Sequence, residues 1–187
     1  MKNLKFSVHG QMLLMVKAHF AIALLFLVLF LLTMSMTAGT KDIIFGICGM
    51  VGYFLSIYSF AETAYLDDKK TVSPLTPKQA KGLMLPLILT LFSLIIVLIY
   101  KFAWTYGITE NGSLELWAVP LNILALLWVS PYQPLLGMVQ GGLTTAGYLI
   151  IFLTPFVASG LGYFAAFNGF DLSAKIHSLV YEKKKDK

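Results

Sequence analysis

Three histidines, one cysteine and nine acidic residues are the side chains in this 187-residue sequence that could hold a metal or move a proton. His9, His19 and His177 are scattered, and Cys48 has no ligand-type neighbour at metal spacing, so no zinc-type cluster is encoded. There is no Gly-x-Ser-x-Gly turn, no His-Glu-x-x-His helix and no phosphate-binding glycine loop. An intramembrane protease would need paired Asp, Ser/His or zinc ligands inside apolar segments, and the sequence offers none. These observations predict a non-enzymatic protein without a cofactor. A lone cysteine forms no intrachain disulfide, so Cys48 says nothing about redox compartment.

Two single groups and one neutral set stand out. Glu62 lies near the end of an apolar segment, where an acid is by default suspected of serving a cation or proton. The plainer expectation is that it snorkels towards Asp67 and Asp68. His19, one turn inside another apolar segment, is expected at headgroup level, with a proton relay as the functional alternative. The neutral set is Asn122, Trp128, Ser130, Tyr132, Gln133 and Gln140, gathered around Pro131 and Pro134. Such amides and aromatics could line a small uncharged pocket. Otherwise they satisfy backbone groups freed by the two prolines and bridge helices, at about 0.6 kcal/mol per bond.

The elements that must position these groups are membrane helices. The chain is 58% hydrophobic and 12% charged, against roughly 25% charged in ordinary soluble domains. From Leu116 to Phe170 there is not one Asp, Glu, Lys, Arg or His. The reading is an all-α, polytopic integral membrane protein forming one domain over 1–187. Spans are expected at about 18–36, 43–64, 83–106 and 143–167, each near the length needed to cross roughly 30 Å of hydrocarbon. Residues 1–17 would hold at most a short interfacial helix. Thr76-Pro77-Lys78-Gln79 has the form of a capping box and predicts a helix start. Pro86 should free the carbonyl of Gly82 and bend the third span. Two stripes of small residues, Cys48/Gly52/Ser56 and Ala158/Gly162/Ala166, have the four-residue spacing that lets membrane helices approach closely. The first is expected to seat a neighbouring helix of the same chain.

All fourteen basic residues are lysine. They flank apolar segments rather than forming a stripe with aromatics, which argues against nucleic acid and for a positive-inside topology. Residues 1–17, the 65–82 loop and the tail hold all but Lys41 and Lys101, which places both termini on the cytoplasmic face of the cell membrane. That orientation needs an even number of crossings, yet there are five apolar segments. Segment 116–142 is therefore read as a Pro-broken re-entrant excursion, with a fifth short span as the alternative. Asp171 can cap a helix whose apolar face is Leu172, Ile176, Leu179 and Val180. Lys175, Lys183, Lys184, Lys185 and Lys187 then make the 171–187 tail an amphipathic contact for anionic lipid at the inner face. The functional expectation is an interaction or accessory subunit of a membrane assembly, partnered by another membrane subunit or a second copy. A subunit that binds or translocates a neutral small molecule is the alternative.

Overall fold

The computed structural model describes residues 7–32, 40, 49–70, 77–109, 111–135 and 145–181. Among these, every regular element is helical: α1 (Val8–Leu32), α2 (Met50–Asp68), α3 (Lys81–Met84), α4 (Leu87–Tyr106), α5 (Ala118–Val129), a 3-10 turn (Ser130–Leu135), α6 (Thr145–Phe167) and α7 (Leu172–Tyr181). Three helical stretches are long and apolar enough to cross a membrane, at Val8–Leu29, Lys81–Tyr106 and Gly147–Phe167. Parts of the expected second span and of the 116–142 excursion lie outside the described residues.

The first helix starts ten residues before the expected span. Ser7 accepts the amide of Gly10 through its Oγ at 3.0 Å, and its carbonyl accepts the amide of Gln11. That is the N-cap arrangement, and the run that follows has no proline to stop it. Lys17 does not break the helix because its side chain is exposed and can extend away from the apolar body. No helix starts at the expected capping box. Thr76 lies outside the described residues, Pro77 and Lys78 are irregular, and the helix opens only at Lys81.

Pro86 interrupts the third apolar stretch between α3 and α4. Lacking an N–H, it cannot serve the carbonyl of Gly82. Ser159 of α6 serves it instead, its Oγ donating at 2.6 Å. The crossing is close because Gly82 has no side chain: a Cβ there would stand 2.7 Å from the Cβ of Tyr163. The most extensive packing joins α2 and α6. Gly162 makes it possible, since a Cβ on it would meet the backbone oxygen of Tyr58 at 2.3 Å.

The helices align by their contacts. Gln11 reaches Asp68 and His19 reaches Tyr53, so α1 and α2 are antiparallel. Ala118 lies against Gly107, and the Trp128 indole donates to Ser93 Oγ at 2.9 Å. Thus α5 descends beside α4, about 18 Å long at 1.5 Å per residue, and stops level with Ser93. Ser93 is midway along the Lys81–Tyr106 stretch. The turn that follows meets α1 at its middle, where Ser130 Oγ donates to the carbonyl of Ala23. In α6, Ser159 bonds to the Gly82 carbonyl, at the end of the Lys81–Tyr106 stretch opposite the one where α5 began.

Candidate functional site

Buried polar groups collect in two places, one at mid-bundle and one at the end where α2 finishes. The middle cluster is built where α5 breaks. His19 on α1, only 1% exposed, contacts the Tyr53 hydroxyl through Nδ1 at 2.9 Å and the carbonyl of Trp128 through Nε2 at 3.1 Å. A carbonyl can only accept, so in the neutral ring Nε2 carries the proton and Nδ1 accepts from Tyr53. The Trp128 carbonyl is available because the α-helix ends one residue later, and orphan carbonyls are the rule at a helix C-terminus. Trp128 then donates to Ser93, which itself donates to the Leu89 carbonyl at 3.0 Å. Tyr132 is buried with its ring edge-on to Tyr53, centroids 5.1 Å apart. This network joins α1, α2, α4 and α5.

The end cluster centres on Asp68, 3% exposed. Its carboxylate accepts from Lys81 Nζ at 2.5 Å, from the Tyr163 hydroxyl at 2.8 Å and from Gln11 Nε2 at 3.0 Å. One acid thereby ties α1, α2, α3 and α6. The three partners are 13, 95 and 57 positions away in sequence, and the charge is matched by an ammonium that is itself buried. The neighbouring Asp67 pairs with Lys70, whose side chain is 56% exposed.

Glu62 does not turn towards Asp67 and Asp68. It is 1% exposed, and its Oε1 accepts the backbone N–H of Leu172 at 2.6 Å. Asp171 accepts the amide of Ala174 at 2.7 Å. Two carboxylates from different elements thus cap α7, where free amides and the positive helix end favour negative charge. His19 likewise is buried in the core, where Tyr53 and the Trp128 carbonyl give both its nitrogens a partner.

Of the neutral set, Trp128 contacts His19, Tyr132 packs on the His19 partner Tyr53, and Ser130 bonds one turn further along α1 to the carbonyl of Ala23. Asn122 sits half-buried nearly two turns earlier on α5 and takes no part in that network. The Gln133 side chain and Gln140 lie outside the described residues. Of the two stripes, Ala158, Gly162 and Ala166 are buried, with Gly162 on the backbone of α2. Of the other, among the described residues nothing lies within 4 Å of a Cβ at Gly52, and Ser56 is exposed, bonding back to its own helix at the Gly52 carbonyl. No described helix of the chain is seated there. Cys48 is outside the described residues, as are Lys183, Lys184, Lys185 and Lys187. Lys175 is exposed, its Nζ 4.0 Å over the Phe170 ring.

No protein-family model, curated protein or solved structure matches this chain. The residues that sequence reasoning passed over are Gln11, Tyr53, Asp68, Lys81, Ser93 and Tyr163. Gln11, an amide inside an apolar run, carried a usable signal. Asp68 and Lys81 carried none, because each stands at the edge of a polar loop where charge is ordinary.

Proposed function

We propose that this chain is a non-enzymatic, multi-pass protein of the cell membrane that acts as an interaction or accessory subunit of a membrane assembly. The observation that carries the reading is the use of the buried polar side chains. His19, Glu62, Asp68, Lys81 and Trp128 each bond to a different helix of the same bundle. Groups engaged in this way stiffen a scaffold; a catalyst or carrier would direct some of them at a substrate. The same argument weighs against a neutral-ligand pocket at Trp128, since the indole N–H and the adjoining carbonyl are already bonded.

The topology that fits this role has both termini in the cytoplasm and residues 116–142 as a re-entrant excursion. One feature supports it: α5 stops level with Ser93 and Ala23, midway along the bundle. Irregular backbone at such depth is tolerated where protein covers it, and Ser130, Tyr132 and Trp128 are buried. The test replaces Cys48 by Ala and places single cysteines at Ser113, Gly142 and Ser178. With a membrane-impermeant thiol reagent on intact cells, positions 113 and 142 should label and 178 should stay protected. Labelling of 178 with protection of 142 would establish five crossings. Purification of the tagged protein in mild detergent should bring a second membrane subunit, or a second copy, in stoichiometric amount. A monomer travelling alone from native membranes would defeat the accessory role.

A further inference from the structure

We infer that the cavity between α1 and α2 beside Asp67 is a binding site for a primary ammonium group on a short alkyl arm, the chemistry shared by a free alkylamine and an ethanolamine headgroup. The site goes beyond the accessory role proposed above and does not depend on it. The cavity encloses about 220 Å³ and is lined by Gln11 and Leu14 of α1 and by Phe60, Thr63, Ala64 and Asp67 of α2. That is smaller than the roughly 300–1,000 Å³ of pockets for drug-sized molecules, so its occupant is small. The α2 residues fall at i, i+3, i+4 and i+7, one face of that helix. The two α1 residues, three apart, are neighbours on theirs.

Asp67 sets this face apart. It is 6% exposed, and among the described residues the other buried charged side chains, Glu62, Asp68 and Lys81, each bond to a different element. The Asp67 carboxylate instead takes Lys70, three residues on, through Oδ1. That lysine is largely in solvent and does not line the cavity. A carboxylate has about four acceptor sites, so one lysine does not exhaust it. The other polar groups of the lining point to the same kind of occupant. Thr63 Oγ1 donates to the Ser59 carbonyl at 2.9 Å, so towards an occupant it can only accept. Gln11 has its amide nitrogen on Asp68, which lies outside the cavity. An occupant that donates and carries positive charge suits this lining, and an anion is repelled by Asp67. A bare metal ion does not suit it, since one carboxylate lines the cavity and the described residues hold no group of three metal-binding side chains there. Leu14, Phe60 and Ala64 offer hydrocarbon to the alkyl arm while Asp67 takes the nitrogen. Asp67 stands at the end of α2 beside Lys69 and Lys70, the headgroup level of a positive-inside topology. An ethanolamine lipid there exchanges partners: its nitrogen takes Asp67, and the displaced Lys70 takes its phosphate.

The full-length protein, delipidated in dodecylmaltoside, is titrated calorimetrically with butylamine hydrochloride, and with butanol and tetramethylammonium as controls that lack the charge or the N–H. Native mass spectrometry counts bound palmitoyl-oleoyl phosphatidylethanolamine against the same-chain phosphatidylcholine. The primary ammonium should be preferred about tenfold or more in at least one of the two arms, the worth of a hydrogen bond to a charged group. Asp67→Asn keeps the shape and should erase that preference, with the unfolding midpoint in the same detergent close to that of the parent. Thr63→Phe, at an exposed position, fills the cavity and should weaken the amine about tenfold; Leu14→Trp fills it from α1 and serves if Thr63→Phe fails to fold. Lys70→Ala separates the sources. It removes a competitor, so butylamine should bind several-fold tighter, whereas phosphatidylethanolamine loses its phosphate partner and should gain nothing. Selectivity for butylamine alone assigns the site to a soluble amine, and selectivity for phosphatidylethanolamine alone assigns it to the lipid. No preference in either arm, or a preference that survives Asp67→Asn or both filling variants, would overturn the site.

Discussion

Asp67 and Asp68 are adjacent and chemically identical, yet their replacement by alanine should differ several-fold in consequence. Removing Asp68 leaves the Lys81 ammonium, 5% exposed, without its counter-ion, and deprives Tyr163 and Gln11 of an acceptor. Breaking a buried pair from one side costs about 3–5 kcal/mol. Removing Asp67 loses a pair whose lysine is half in solvent, worth about 0–1 kcal/mol. Lys81→Met should cost less than Asp68→Ala, about 2–3 kcal/mol, because Tyr163 and Gln11 still donate to the carboxylate. The double variant should lose little beyond the Asp68→Ala value, since the stranded ammonium is gone and methionine fills the space of the lysine stem. The expected coupling is therefore at least about 2 kcal/mol. Reversible unfolding in mixed dodecylmaltoside–SDS micelles, followed by tryptophan fluorescence, measures all four. Simple addition of the two single effects, or equal losses for Asp67→Ala and Asp68→Ala, would show that this ion pair does not hold the bundle.

Gly162→Leu should destabilise the protein by more than about 3 kcal/mol, because even a Cβ there meets the Tyr58 backbone at 2.3 Å. Gly52→Leu, which meets nothing within 4 Å among the described residues, should stay within about 1 kcal/mol; the same micelle titration compares them. Ser159→Ala should cost about 1–3 kcal/mol by leaving the Gly82 carbonyl unserved next to Pro86, and Pro86→Ala in that background should restore most of it by returning a helical amide. A loss in Ser159→Ala that Pro86→Ala leaves untouched would detach the serine from the proline.

Much of the fold could be read from the chain because lipid permits few solutions. Apolar runs of sufficient length had to be helices, and Pro86 announced the vacancy at Gly82 through its missing N–H. What supplied the vacancy, Ser159, is 77 residues away and beyond any local pattern. The same limit explains the misplaced polar groups. His19 and Glu62 were assigned to the membrane surface because nothing adjacent could satisfy them, whereas their partners come from α2, α5 and α7. The start of α1 differs from the expectation for another reason: Lys17 looks like a boundary, but a single exposed lysine costs a helix little, and Ser7 is the stronger signal. The two small-residue stripes have the same spacing, yet Gly162 lies on the α2 backbone while nothing described comes within 4 Å of a Cβ at Gly52. Four-residue spacing tells that a helix could approach there, and not whether one does.

The bond from Glu62 to Leu172 joins residues 110 apart, and that separation has a consequence for biosynthesis. A chain emerging from the ribosome presents α2 to the membrane well before the amide that Glu62 will hold has been made. The grip closes only when α7 arrives, after α1 to α6 have entered. A chain cut short before residue 172 would deliver α2 with that carboxylate denied its helix-end amide. The seating of α7 thus distinguishes a chain that has reached residue 172 from one interrupted before it, and such truncation should be recognised in the cell by faster turnover rather than by loss of membrane insertion.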